Sequence, residues 1–325
     1  MKSLYYYLAI LLLLILAELL YFKMAERFGI VDKPNSRSSH HGVVLRGGGI
    51  IIPFGVVLGT LFFGLSYPWF ILGLVIISCI SFWDDVHSIP GMARLAVQFV
   101  AMFLMFYQMD ILHLNIWWIV LVAIIVSVGV INAFNFMDGI NGMTGGYSLA
   151  VLLPLIYLNG KFGFISMELL VCTLLADAVF CFFNFRKRAK CFAGDVGAVA
   201  VAFIVVFSIG KLMIVTQDFS WFMLLAVYGV DTVLTIIHRI KLGEYLGEAH
   251  RKHAYQLMAN ELKMPHILVS SIYLVLQLVI SAGLILLPVN HYGYAAIVLA
   301  VLAAAYFLFM KKYYHLHAEF LASLK

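Results

Sequence analysis

Apolar residues in this chain run in long unbroken blocks instead of alternating or keeping to one helical face. About eleven blocks are long enough to cross a bilayer as helices, at roughly 17–25 residues each. They fall at residues 3–22, 47–66, 67–83, 92–109, 116–136, 143–160, 164–184, 195–215, 219–238, 266–287 and 292–310. The strands of a membrane barrel would alternate between lipid-facing and inward-facing residues, so continuous runs favour helices. The pattern therefore predicts an all-α fold, a polytopic membrane helix bundle of roughly 10–11 transmembrane helices. Composition points the same way: 64% of residues are hydrophobic and 11% charged, where soluble domains are nearer half apolar and a quarter charged. The first block is followed by Tyr21-Phe22-Lys23 and no small-residue cleavage site, so it reads as a retained helix, not a signal peptide.

Eleven crossings place the two termini on opposite sides. One side receives the loops at about 23–46, 84–91, 135–147, 185–197 and 239–265, together with the C-terminal tail. That side holds all of the 21 Lys and Arg except Lys2, Lys161 and Lys211, counting Arg94 at a span edge. Basic residues stay inside, so the expectation is a cytoplasmic rich side, an outward N-terminus and an inward C-terminus. The net charge of +5 is thereby a matter of topology, and no basic stripe with interleaved aromatics implies nucleic acid. Residues 1–325 read as a single transmembrane domain without a soluble module. Cys79, Cys172, Cys181 and Cys191 lie in no outward loop and make no metal-type pair, so reduced thiols are expected.

Residues capable of chemistry gather in the basic loops. Asp84-Asp85 directly follow an apolar run. Adjacent carboxylates repel and need a cation, a proton or hydrogen bonds; metal-phosphate handling fits, and so does a solvated helix end. Asn132, Asn135, Asp138 and Asn141 recur every third residue, which makes one polar stripe if the helix persists. Amides and a carboxylate suit a hard cation and a sugar or phosphate. Asn184 opens a loop leading to Gly194-Asp195-Val196-Gly197, where glycines leave room for phosphate and helix amides attract anions. Asp195 there suits holding Mg²⁺ against a diphosphate, or acting as a plain N-cap. Asp231 sits inside a span and is costly there without a partner. Arg239 follows two turns later, and His250-Arg251-Lys252-His253 forms a compact basic cluster suited to anions. The first loop adds Arg37, His40 and Arg46, cations able to draw in a phosphorylated substrate.

Taken in order, these residues resemble the polyprenyl-phosphate N-acetylhexosamine-1-phosphate transferase family. The resemblance runs from about residue 30 to 260. It comprises Asp32, Pro34, Arg37 and His40; Gly47-Gly48; Asp84-Asp85; Arg94 and Gln98; and Asn135-Phe-Met-Asp138-Gly-Ile-Asn141-Gly142. Asn184, Gly194-Asp195-x-Gly197, Asp231, Arg239, His250 and His253 complete it. It implies a Mg²⁺-dependent enzyme, with Mn²⁺ as a substitute, Asp195 as main metal ligand and Asn135 as second. Asp84, Asp85 and Asp138 would be catalytic. Arg37, His40, Arg46, Arg94, Asn132, Asn141, Asn184, Asp231, Arg239, His250, Arg251 and His253 would bind substrate. The reaction implied is transfer of N-acetylhexosamine-1-phosphate from a UDP-N-acetyl sugar to undecaprenyl phosphate, with release of UMP. Location in a bacterial inner membrane, a cytoplasmic site and a homodimer are implied by the same resemblance. This chain departs from it in carrying His-Arg-Lys-His in place of a three-histidine form, and Asp177 matches none of its motifs.

Two other classes fit parts of the pattern. An ion- or proton-coupled transporter would use Asp138, Asp177 and Asp231 as relay groups, but such groups cluster near the midplane in repeated halves, and no repeat is visible. A non-catalytic binder of lipid phosphate has no need of both the acidic pair and the Gly-Asp-x-Gly loop.

Overall fold

The structure is a computed structural model that describes residues 2–33, 39, 42–113, 117–245 and 250–323. It is a helical bundle: α1 (Lys2–Phe28), α2 (Ile51–Phe63), α3 (Pro68–Val86), α4 (Gly91–Gln108), α5 (Trp117–Met137), α6 (Met143–Phe162), α7 (Met167–Asn184), α8 (Gly194–Thr216), α9 (Ala226–Lys241), the single turn α10 (Ala254–Gln256), α11 (His266–Leu286) and α12 (His291–Ser323). The sheet among the described residues is one antiparallel pair, β1 (Val31–Asp32) with β2 (Val44–Leu45).

Each of the eleven expected blocks coincides with a helix. Among the described residues nine helices are long and apolar enough to span a bilayer. The other two are instructive. The 3-10 turn and α2 together reach only from Gly48 to Phe63. α6 carries Thr144, Gly145, Gly146, Tyr147, Ser148, Pro154 and Asn159, nearly all buried against protein. A helix sheathed by neighbours need not be as apolar as one facing lipid.

α8 is the axis of the bundle. Val, Ala, Ile and Phe cover it on every side and are buried throughout most of its length. It packs against α2, α3, α5 and α6. Small residues at its start permit a close approach: a Cβ on Gly49 would lie 2.4 Å from the Gly197 Cα, so the chain before α2 can touch α8 only because both positions are glycine. The periphery is the reverse. α1, α5 and α12 expose rows of Leu, Ile, Val and Phe, as lipid-facing helices should.

One expectation needs correction. The stripe Asn132, Asn135, Asp138, Asn141 assumed a continuous helix, but α5 ends at Met137 and Gly142 has φ 78°. Asp138 and Asn141 therefore sit in a turn between two helices, and only Asn132 and Asn135 share a helical face.

Candidate active site

At one end of the bundle three carboxylates and two guanidinium groups from separate segments meet. Asp84 and Asp85 close α3. Asp195 opens α8. Arg94 lies in the first turns of α4, and Arg46 follows β2. Backbone pairing sets Arg46 in place: Phe192 N donates to Leu45 O, Gly48 N to Phe192 O and Gly49 N to Ala193 O, at 2.8–3.1 Å. Residues 45–49 thus lie along the approach to α8, and Tyr21 Oη donates to Arg46 O at 2.5 Å.

The charges are cross-linked. Arg46 Nε donates to Asp85 Oδ1 at 2.7 Å, and its Nη2 reaches Asp195 Oδ1 at 3.4 Å. Arg94 Nη1 donates to Asp84 Oδ2 at 2.7 Å and to Asp195 Oδ2 at 2.8 Å. Asn135 Nδ2 adds a contact to Asp195 Oδ2 at 3.3 Å. Each arginine therefore bridges Asp195 to one member of the acidic pair, which is how three carboxylates coexist.

The adjacent aspartates have different surroundings. The Asp85 side chain is 0% exposed. It accepts from Asp195 N at 2.9 Å and Val196 N at 3.0 Å, so it occupies the anion position at the α8 N-terminus. Gly194 permits this, because its φ is +69° and a Cβ there would lie 2.5 Å from Asp85 Oδ2. Asp84 instead accepts from Ile89 N at 2.6 Å, pinning the α3–α4 turn. Asp138 is half-buried in the turn after α5. Burial raises its carboxyl to about 7, and the nearby charges of Asp195 and Asp85 push the same way.

Other residues singled out from sequence are brought to the same end with different partners. Asn132 Nδ2 donates to Gln98 Oε1 at 3.0 Å. Asn184 ties two segments, accepting from Gly142 N at 2.7 Å and donating to Cys191 O at 2.9 Å. Asn141 Nδ2 donates to Arg186 O at 3.0 Å. Arg37 and His40 lie outside the described residues.

The basic loop is internally paired. Arg239 meets Glu244 Oε2 at 3.1 Å and Tyr245 O at 2.7 Å. Lys252 also bonds to Glu244. Arg251 Nη2 donates to Glu261 Oε1 at 2.8 Å. His253 Nδ1 is 3.3 Å from Asp231 Oδ1, and Asp231 also accepts from Ala254 N and, at 2.6 Å, Tyr273 Oη. Asp231 and Arg239, placed on one face two turns apart, thus serve different partners. Burial, with the adjoining His253 and Arg239, pushes His250 down to about 3. Sequence reasoning missed Glu244, Glu261, Tyr255 and His317. Tyr255 Oη donates to Phe136 O at 2.9 Å, bringing the loop to the end of α5.

A groove of about 1140 Å³ opens beside these elements. Asn141, Lys187, Arg188, Phe192, Arg251 and Lys263 are among its lining residues.

Mg²⁺ takes oxygen ligands and commonly needs only one or two carboxylates, substrate phosphates supplying the rest. Among the described residues no group of three or more His, Cys, Asp or Glu side chains is arranged as a metal cage. The Asp195 carboxylate and the Asn135 side-chain oxygen make a donor set of the smaller kind once the amide, whose Nδ2 here faces Asp195, turns its oxygen inward, so the residue types fit a cation completed by phosphate.

The model of the family described as glycosyl transferase family 4 matches residues 67–214, a span that includes Asp84, Asp85, Arg94, Asn135, Asp138 and Asp195. A probable undecaprenyl-phosphate N-acetylglucosaminyl 1-phosphate transferase of Bacillus subtilis (strain 168) is 27% identical over 260 residues, covering 73% of this chain and 72% of the relative. An undecaprenyl-phosphate alpha-N-acetylglucosaminyl 1-phosphate transferase of Yersinia pestis is also 27% identical, over 264 residues, covering 73% and 71%. Its namesake in Escherichia coli (strain K12) is 24% identical over 311 residues, covering 88% and 84%. The matched span holds the crossed carboxylates and one of the guanidinium groups bridging them, so over those residues the chain is similar to glycosyl transferase family 4.

Proposed function

We propose that this membrane transferase moves N-acetylhexosamine-1-phosphate from a UDP-N-acetyl sugar to undecaprenyl phosphate. A phosphate oxygen of the lipid attacks the β-phosphorus of the donor, the bond to the UMP oxygen breaks, and UMP leaves. The products are UMP and undecaprenyl-diphosphate-N-acetylhexosamine. UDP-N-acetylglucosamine is the donor favoured by the names of the relatives.

The observation that carries the reading is the crossed cluster of Asp84, Asp85 and Asp195 with Arg46 and Arg94. Two anionic phosphates must approach each other, so charge neutralisation is the main task of the site. Arg46 and Arg94 are shared among carboxylates and reach Asp195 from two sides, a disposition suited to phosphate oxygens. Asp85 holds Arg46 and the first turn of α8, and Asp84 holds Arg94 and the α3–α4 turn. Asp195 and Asn135 would hold Mg²⁺, which when bound neutralises diphosphate charge and polarises the phosphoryl oxygens. Asp138, raised to about 7, is suited to taking up a proton from the lipid phosphate. The groove beside Asn141 and Phe192 has the cations and the size for the sugar nucleotide. An inner-membrane location, a cytoplasmic site with the N-terminus outside, and a homodimer belong to the same proposal.

Radiolabel transfer tests it, with purified protein, undecaprenyl phosphate, Mg²⁺ and a panel of UDP-N-acetylhexosamines. Label should pass to lipid with release of UMP; chelation should abolish it, and Asp195→Asn should slow it roughly 10²–10³-fold. Folded protein that transfers label from none of the sugars would overturn the reading.

A further inference from the structure

α12 is 33 residues long, about 50 Å at 1.5 Å per residue, against a hydrocarbon core of about 30 Å. Its last turns, from Lys311 on, therefore extend past the membrane on the side of the cluster. There His317 is 1% exposed and Glu261 is 4% exposed. His317 Nδ1 lies 2.9 Å from Glu261 Oε1, the same oxygen that accepts from Arg251 Nη2 at 2.8 Å. The Arg251 guanidinium also sits 4.3 Å from the centre of the Phe320 ring. An arginine is thus fixed by a carboxylate in its plane and by an aromatic ring over its face, with both supports tied to α12. Arg251, Glu261 and Phe320 line the same groove as Lys187, Arg188 and Phe192.

A long basic side chain left alone would sample many rotamers and lose that freedom on binding. Here the freedom is already lost. Among the described residues, buried Arg251 Nε has no acceptor and His317 Nε2 has no hydrogen-bond partner. The guanidinium is held in place with a hydrogen-bond donor still unused.

We propose that Glu261 and His317 are positioning residues that set the affinity for the nucleotide-sugar donor by holding Arg251 in the groove wall. The cytoplasmic end of α12 is then part of the donor site, although it lies far from the acidic cluster in sequence. This rests on the transferase reading above.

The test is steady-state kinetics of the full chain with undecaprenyl phosphate and UDP-N-acetylglucosamine, together with thermal stabilisation by UDP-N-acetylglucosamine alone. Glu261→Gln should raise KM for the donor roughly tenfold, with kcat and the KM for lipid within about twofold. In an Arg251→Ala background the same substitution should add no more than about twofold, because its effect passes through that arginine. His317→Gln retains an N–H donor and should stay near wild type, while His317→Leu should follow Glu261→Gln; this pair decides the matter if Glu261→Gln does not fold. A fall in kcat at unchanged donor KM, or full additivity with Arg251→Ala, would overturn the inference while leaving the transferase reading intact. Inactive wild type that the nucleotide sugar still stabilises, less so in the variants, would sink the reading and support the clasp. No stabilisation of wild type would overturn both.

Discussion

Two charged regions lie at the same end of this bundle, and they differ in how their charges are balanced. In the acidic cluster, Arg46 and Arg94 are each divided between two carboxylates. Their side chains are 35% and 37% exposed, so ligands can reach them. In the basic loop, each basic side chain meets a single acid among the described residues: Lys252 and Arg239 share Glu244, Arg251 meets Glu261, and His253 meets Asp231. These pairs are mostly buried, and breaking a buried pair leaves an uncompensated charge. The first region is built to exchange partners and the second to keep them. A run of charges in sequence does not separate the two cases, because the distinction lies in where the counter-charges come from.

The largest test of this contrast is at Asp195, the carboxylate common to both arginines. Asp195→Asn should lower kcat roughly 10²–10³-fold, a typical loss when one preorganised electrostatic group is removed. The thermal midpoint should change little, since Asp84 and Asp85 still engage the arginines. Unchanged turnover in radiolabel transfer would remove Asp195 from the site.

Asp85 should respond differently, although it touches the same arginine. Its side chain is fully buried and accepts two backbone N–H groups of α8. Asp85→Ala should destabilise the protein by about 3 kcal/mol, the scale of a broken buried pair. Thermal unfolding in detergent reads this directly. A midpoint equal to wild type would show that the helix terminus does not depend on that carboxylate.

Asp138 sharpens the comparison through pH. Burial raises its carboxyl to about 7, so it is protonated below that value and charged above it. As a proton acceptor it works only in the charged form, and kcat/KM should rise as pH passes through about 7. Asp138→Asn should remove that rise and cost roughly 10²-fold. A profile keeping the same inflection in the variant would assign it to another group, the lipid phosphate being the first to consider.

Much of the acidic cluster was legible because it is written in short local signals. An acidic pair at the end of an apolar run, Asn135 and Asp138 at the end of another, and Gly-Asp-x-Gly before a third are each visible within a few residues. The helices were legible for a similar reason, since lipid demands apolar residues along whole spans. The stripe from Asn132 to Asn141 was misjudged because nothing in a three-residue spacing reveals that α5 stops at Met137. In the basic loop, Glu244 and Glu261 lie within ten positions of the cations they meet, but His317 is 56 positions from Glu261; a pairing of that kind depends on where helices pack, not on local pattern. Asp177 was noticed but not explained. It is fully buried in α7 with neither oxygen hydrogen-bonded among the described residues.

The smallest expected effect lies at His250, which sequence alone placed in a basic cluster suited to anions. Burial, together with the adjoining His253 and Arg239, pushes it down to about 3. It is therefore neutral throughout the range in which the enzyme can be assayed, and any contact it makes with a diphosphate is a hydrogen bond from a neutral ring, not an ion pair. His250→Gln keeps a neutral donor of similar reach, so kcat/KM should fall no more than about fivefold, the order of one neutral hydrogen bond. The shape of the pH profile between pH 5 and 9 should not change. The loss of an inflection near 6 in the variant would show that His250 carries charge in the working enzyme. Its ring lies 5.0 Å from that of His253, so a charge there would mean that the loop opens toward water during turnover and would bring the basic loop into the partner-exchanging class of the acidic cluster.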